Sequence, residues 1–199
     1  MRKLAAIEYV SLDGVVQAPG HAAEDPDGGF EHGGWTAPFM AEHRRYLSES
    51  FQTVDAFLLG RITYEIFAAV WPAITDENDQ IAHRLNNYPK YVASTTLTDP
   101  AWQGTRLLGA DVARDVTELK AQPGSRIAVV GSSGLAHYLI RHDLIDVYEL
   151  YVHPVVLGPG KRLFPEDAPA STLQIVDSRT TGSGLVILTY ERRQSHSET

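Results

Sequence analysis

RIAVVGSSGLAHYLI, residues 126–140, reads as a strand, a glycine turn and a helix in immediate succession. The strand ends at Val130, and the pairs Leu135–Leu139 and Ala136–Ile140 then recur at i, i+4, the spacing of one apolar helix face. Between them Gly131, Ser132, Ser133 and Gly134 bring free backbone N–H groups and the positive end of a helix dipole to one point. Such a turn can bind phosphate, or it can be an ordinary tight connection. The third glycine of a dinucleotide fingerprint is missing, and so is the Gly-Lys-Ser/Thr of a P-loop.

The same grammar occurs earlier, in FLLGRITYEIF, residues 57–67. An apolar run, 54–59, ends at Gly60, and Arg61 and Thr63 precede a helix expected over 62–70. A helix cap with a surface arginine and a phosphate-holding turn are both open here. A third strand end, in YVASTTL (91–97), carries three hydroxyls, Ser94, Thr95 and Thr96. Ligands of open parallel sheets lie outside the carboxyl ends of the strands. Three such ends with phosphate-friendly groups point together to a phosphorylated ligand.

Around these motifs the chain alternates strands and helices. Strands are expected over 3–10, 90–94, 106–108 and 147–153, and helices over 37–51, 76–87, 112–121 and 135–141. The tail LQIVDSRTTGSGLVILTYERR reads as a hairpin about Gly182-Ser183-Gly184. The expectation is one α/β domain spanning 1–199, with a mostly parallel sheet and an antiparallel C-terminal edge. Residues 15–35 hold five glycines and four acidic residues, and with Phe30 and Trp35 to bury they suggest a mobile lid.

Composition narrows the chemistry. The 199 residues are 43% hydrophobic and 21% charged, with a net charge of −8, so a long nucleic-acid backbone is not an expected partner. No run approaches the roughly 18 apolar residues of a membrane span. The absence of cysteine excludes disulfides and thiolate chemistry and suits a cytoplasmic location. The eight histidines form no His-x-x-x-His pair, so no metal site is expected, and no Gly-x-Ser-x-Gly elbow marks a serine hydrolase.

SLDG (11–14), LLGRITYE (58–65), VASTTL (92–97), VVGSSGLAHYLI (129–140) and LIDVYELYVHPVVLGPGKRLF (144–164), in that order, resemble the dihydrofolate reductase-like superfamily. Within it they are most similar to the C-terminal reductase domain of the bifunctional riboflavin-biosynthesis deaminase-reductase. The likeness runs from about residue 3 to 191. It implies a three-layer αβα fold and an NADPH-dependent reductase of a small heterocyclic substrate, such as 5-amino-6-(5-phosphoribosylamino)uracil. A pterin reductase, or a nucleotide-binding protein without turnover, is the alternative.

By the same resemblance Leu59, Gly60, Arg61 and Thr63 would hold the cofactor, Arg61 at the adenosine 2′-phosphate and Thr63 at the pyrophosphate. Ser94 and Thr95 would assist at the 2′-phosphate, and Val130, Gly131, Ser132, Ser133, Gly134 and Leu135 would form the turn under the pyrophosphate. Trp35, Phe39 and Asp13 are expected to wall the substrate. Asp13 and His153 are the catalytic candidates, His153 because its strand would end near the nicotinamide. Folate reductases carry an acid two positions after a proline on the first helix; counted from Pro38, that position holds Met40. Riboflavin reductases carry Glu before the glycine turn, where this chain has Val130. A stand-alone relative with its own substrate is therefore expected; the resemblance, together with the apolar residues Leu173, Ile175, Leu185, Ile187 and Leu188 of the C-terminal hairpin, implies a homodimer.

Overall fold

Eight strands form one sheet in the order β4-β3-β2-β5-β1-β6-β8-β7 in the computed structural model, which describes residues 1–193. They are β1 (Lys3–Ser11), β2 (Val54–Gly60), β3 (Lys90–Ala93), β4 (Thr105–Leu107), β5 (Arg126–Val130), β6 (Val147–His153), β7 (Leu173–Thr180) and β8 (Val186–Arg192). The first six pair in parallel, and β8 runs antiparallel to both β6 and β7. The mostly parallel sheet with an antiparallel C-terminal hairpin matches the expectation. Of the histidines, His196 lies outside the described residues.

Five α-helices cover the sheet: α1 (Met40–Phe51), α2 (Arg61–Val70), α3 (Gln80–Asn87), α4 (Val112–Ala121) and α5 (Ser133–Arg141). Side chains alternate across the pleat and so split the core in two. Leu4, Ala6, Leu58, Ile127 and Val129 face Val116 and Leu119 of α4 and Leu135 and Leu139 of α5. Ile7, Phe57, Leu59, Ala128 and Val130 face Leu47 and Phe51 of α1, Tyr64 of α2 and Ile81 and Leu85 of α3. Strands buried on both faces need apolar residues at every position, which is why β2 and β5 read as continuous runs.

Three helix starts move by two residues or more. Residues 37–39 form a 3₁₀ turn, so the first α-helix proper begins at Met40. The third helix starts at Gln80, because the Asp79 carboxylate accepts from the Ile81 and Ala82 N–H groups as its N-cap. The fifth begins at Ser133, two residues earlier than the apolar repeat indicates.

Residues 15–35 are packed. Val15, Ala18, Phe30 and Trp35 bury together with Leu157 in a small third core. Gln17 ties the segment together: its amide N–H groups donate to the Asp25 and Asp27 carbonyls, and its Oε1 accepts from the Lys161 N–H. Lys161 Nζ lies 2.8 Å from Asp25 and 3.0 Å from Asp27. At Gly33 an added Cβ would come within 2.5 Å of the Ala22 carbonyl oxygen, so here glycine permits close packing.

Candidate functional site

The parallel strands all end on one edge, and there a cleft of about 640 Å³ opens. Its floor is the turn after β5. Gly131 has φ +58°, and Ser132 follows at φ +64°, a left-handed conformation that a serine rarely adopts. That conformation frees Ser132 from capping its own helix. Its Oγ instead accepts from the Gly60 N–H at 3.0 Å and donates to Thr63 Oγ1 at 2.8 Å. One hydroxyl thus braces the starts of α2 and α5 against each other.

Neither of those two helices has a side-chain cap. Their first N–H groups and dipoles both face the cleft, an arrangement suited to an anion. A Cβ at Gly134 would meet nothing within 4 Å, so the approach is open. Ser94, Thr95 and Thr96 stand on the same wall, with Ser94 Oγ accepting from the N–H groups of Thr96 and Leu97. Arg61 also lines the cleft; its guanidinium is half-exposed, and its Nη1 donates to both carboxylate oxygens of Glu65, one turn on.

Of the residues singled out in the sequence, Gly60, Arg61, Thr63, Ser94, Thr95, Val130, Gly131, Ser132, Ser133, Gly134 and Leu135 line this one cleft. Leu59 does not; it is fully buried in the core beside α2. Asp13, Trp35 and Phe39, the expected substrate wall, and His153 do not line this cleft. Asp13 accepts from Ser11 Oγ and from the Leu157 and Gly158 N–H groups, and the Ser11 hydrogen bond heads the causes that lower its pKa to about 2. It is an ionised brace for the turn after β1.

His153 is completely buried. Its ring is boxed edge-on by Tyr9, Trp35, Phe39 and His43, at centroid distances of 4.8 to 5.9 Å. Its Nε2 lies 2.6 Å from His43 Nε2, and its Nδ1 lies 3.2 Å from the Val10 carbonyl oxygen. The carbonyl can only accept, so Nδ1 of His153 carries the proton and its Nε2 accepts from His43. His43 Nδ1 is then a bare lone pair, and it is buried without a partner. Burial lowers both pKa values, that of His43 to about 4. Trp35 donates its indole N–H to the Gln17 carbonyl and seals this box instead of facing a ligand.

Several lining residues were not legible as site residues in the sequence. Val16 to Gly20 and Asp25 close one side of the cleft, so the loop contributes Gln17 and its neighbours rather than Trp35. Lys161 and Tyr138 also line it. Glu8 is the most telling: it is 3% exposed, it borders the cleft, and its Oε1 has no hydrogen-bond partner among the described residues. Burial raises its pKa well above the carboxylate range. A lone acid inside the run LAAIEYV was the available signal.

Comparison with known proteins fits this geometry. A model of the RibD C-terminal domain matches residues 2–187. The chain belongs to the RibD C-terminal domain family. Two Bacillus subtilis (strain 168) relatives of this RibD C-terminal domain are the uncharacterised proteins YyaP and YwjB. YyaP is 27% identical over 91% of this chain and 90% of its own length, and YwjB is 29% identical over 92% and 95%. In structure the domain is similar to a putative riboflavin biosynthesis protein from Shewanella sp. PV-4, with a TM-score of 0.65 at 21% identity, covering 98% of this chain and 100% of that one. It is also similar to a pyrimidine reductase-like protein from Corynebacterium diphtheriae, with a TM-score of 0.61 at 13% identity, covering 98% and 93%. The resemblance to the riboflavin-biosynthesis reductase domain read from the motifs is borne out. The donor set of this RibD C-terminal domain fits a nucleotide carrying several phosphates: two uncapped helix starts, a run of hydroxyls and one arginine share a single cleft.

Proposed function

We propose that this chain is an NADPH-dependent reductase of a small heterocyclic substrate, resembling 5-amino-6-(5-phosphoribosylamino)uracil reductase. The observation that carries the reading is the Ser132 brace, which holds two uncapped helix N-termini on one cleft in a reductase-domain family. In this reading the N–H groups at the starts of α2 and α5 hold the pyrophosphate. Arg61, with Ser94 and Thr95, holds the adenosine 2′-phosphate. The cofactor, when bound, supplies the hydride. The chain's own work is to position it, to keep water off the apolar wall of Val16, Ile66 and Val130, and to orient the acceptor.

A second reading is a nucleotide-binding protein without turnover. It is favoured by the engagement of Asp13, which already accepts from Ser11, Leu157 and Gly158, and by the complete burial of His153. Loss of reduced-nicotinamide absorbance, followed with the phosphoribosylaminouracil and with dihydrofolate, separates the two. Turnover of either acceptor supports the reductase, whereas NADPH binding with neither consumed supports the second reading. Absence of any NADPH-dependent rise in melting temperature sinks both.

A further inference from the structure

Glu8 is not explained by the fold. Its neighbour Ile7 pairs with Val130 on one side, the Gly131 N–H reaches the Ile7 carbonyl at 3.4 Å, and Glu8 itself pairs with Leu150 on the other side. The carboxyl therefore stands beside the turn at the floor of the cleft, among apolar strand neighbours. Among the described residues no basic side chain compensates it: Arg126, at the far end of β5, is held by Glu149; Lys161 is held by Asp25 and Asp27; and Arg61 is held by Glu65. The other titratable groups near it in the cleft are Tyr9, next on the strand, Tyr138 on α5, and Glu24 and Asp25 on the loop. An ionised carboxylate here would repel an anion seated on the two helix starts, and a neutral acid would instead have a proton to give it.

We propose that Glu8 is a binding residue of this cleft, donating its carboxyl O–H to a phosphate oxygen seated at the Gly131 turn, so that anion binding is coupled to one proton. The proposal deepens the nucleotide reading above, and rests on it only for which molecule carries the phosphate. Burial, the cause of the raised pKa, favours the neutral acid in the ligand-free protein. On binding, the hydrogen bond to an anionic oxygen satisfies the carboxyl and stabilises its protonated form further. No bond is broken; the proton remains on Glu8, shared with the phosphate.

The test titrates wild type, Glu8→Gln and Glu8→Met with NADPH and, separately, with inorganic pyrophosphate, from weakly acidic to alkaline pH. Ionisation of the ligand is common to all three proteins, so the difference between them is what is read. Wild-type affinity should fall up to tenfold per pH unit above the Glu8 pKa, relative to Glu8→Gln, which shows no such added slope. At the acidic end these two should agree within about threefold, and Glu8→Met, with no donor, should bind roughly five- to tenfold more weakly than Glu8→Gln at every pH. Melting temperatures of the three proteins establish that each is folded. Identical pH slopes in wild type and Glu8→Gln overturn the proposal. Pyrophosphate binding with the predicted slope but no NADPH binding supports Glu8 and overturns the nucleotide reading. Binding of neither anion overturns both.

Discussion

At the residue scale, the Arg61–Glu65 pair sets up a competition that magnitudes decide. An exposed i, i+4 ion pair contributes about 0.3–0.5 kcal/mol. A charge-assisted hydrogen bond to a phosphate contributes ~1–3 kcal/mol. The guanidinium should therefore leave Glu65 for a 2′-phosphate. Arg61→Ala should weaken NADPH roughly 5- to 150-fold and leave NADH nearly unchanged, as read by parallel titrations; equal losses for both nucleotides would refute the assignment. Glu8 gives a stability prediction with the opposite sign from most acids. Its folded pKa is raised, so the stability linked to its proton is complete below the unfolded value and is lost as pH rises toward the folded value. Glu8→Gln, neutral in both states, should melt higher than wild type at neutral pH and lose that advantage at about pH 4. A variant that melts lower at neutral pH would show that the site favours the ionised form.

At the element scale, strands and helices were legible because each carries its own period, and the two phosphate-facing turns were legible because glycine follows an apolar run and precedes a helical repeat. The role of Ser132 was not, since its partners Gly60 and Thr63 are about seventy positions away and no local pattern records a contact that distant. The loop at 15–35 misled for a related reason. Its glycines and acids have the composition of a mobile segment, yet Asp25 and Asp27 are neutralised by Lys161, which lies beyond β6. Removing that cation tests whether the tether holds the loop. Lys161→Ala should speed hydrogen exchange across residues 17–29 while leaving β1 and β5 protected, because the ion pairs are local and partly exposed. Adding NADPH to wild type should slow exchange in the same segment. Unchanged exchange in Lys161→Ala would assign the order of the loop to Gln17 and the buried Phe30 and Trp35 alone.

At the scale of the whole molecule, the apolar hairpin divides its side chains between two jobs. Leu185 and Ile187 are buried in the chain's own core, and Leu173 and Leu188 pack against it partly, while Ile175 and Val176 on edge strand β7 remain about half exposed. We propose that a second copy covers this edge, since an unpaired apolar strand invites association. Light scattering should give about twice the 21.9 kDa chain mass, and a monomeric mass would end the idea. Global stability should respond to pH through the buried His43–His153 pair. The native His43 pKa is about 4, below its ordinary value of 6.5, and that of His153 is lowered as well. Below about pH 6.5 the unfolded chain takes up protons that the native box refuses, so the pair's contribution to stability falls as pH drops toward 4, against the opposite contribution of Glu8. At 1.4 kcal/mol per unit, His43 alone should cost on the order of 2 kcal/mol between about pH 7 and pH 5. The depressed pKa values of Asp13 and Asp79 act only at still lower pH, because the ordinary aspartate value is 3.8. Urea midpoints at the two pH values would measure the slope. A double variant, His43→Phe with His153→Met, should be less stable overall but lose most of that slope; if it keeps the wild-type slope, the acid sensitivity arises elsewhere.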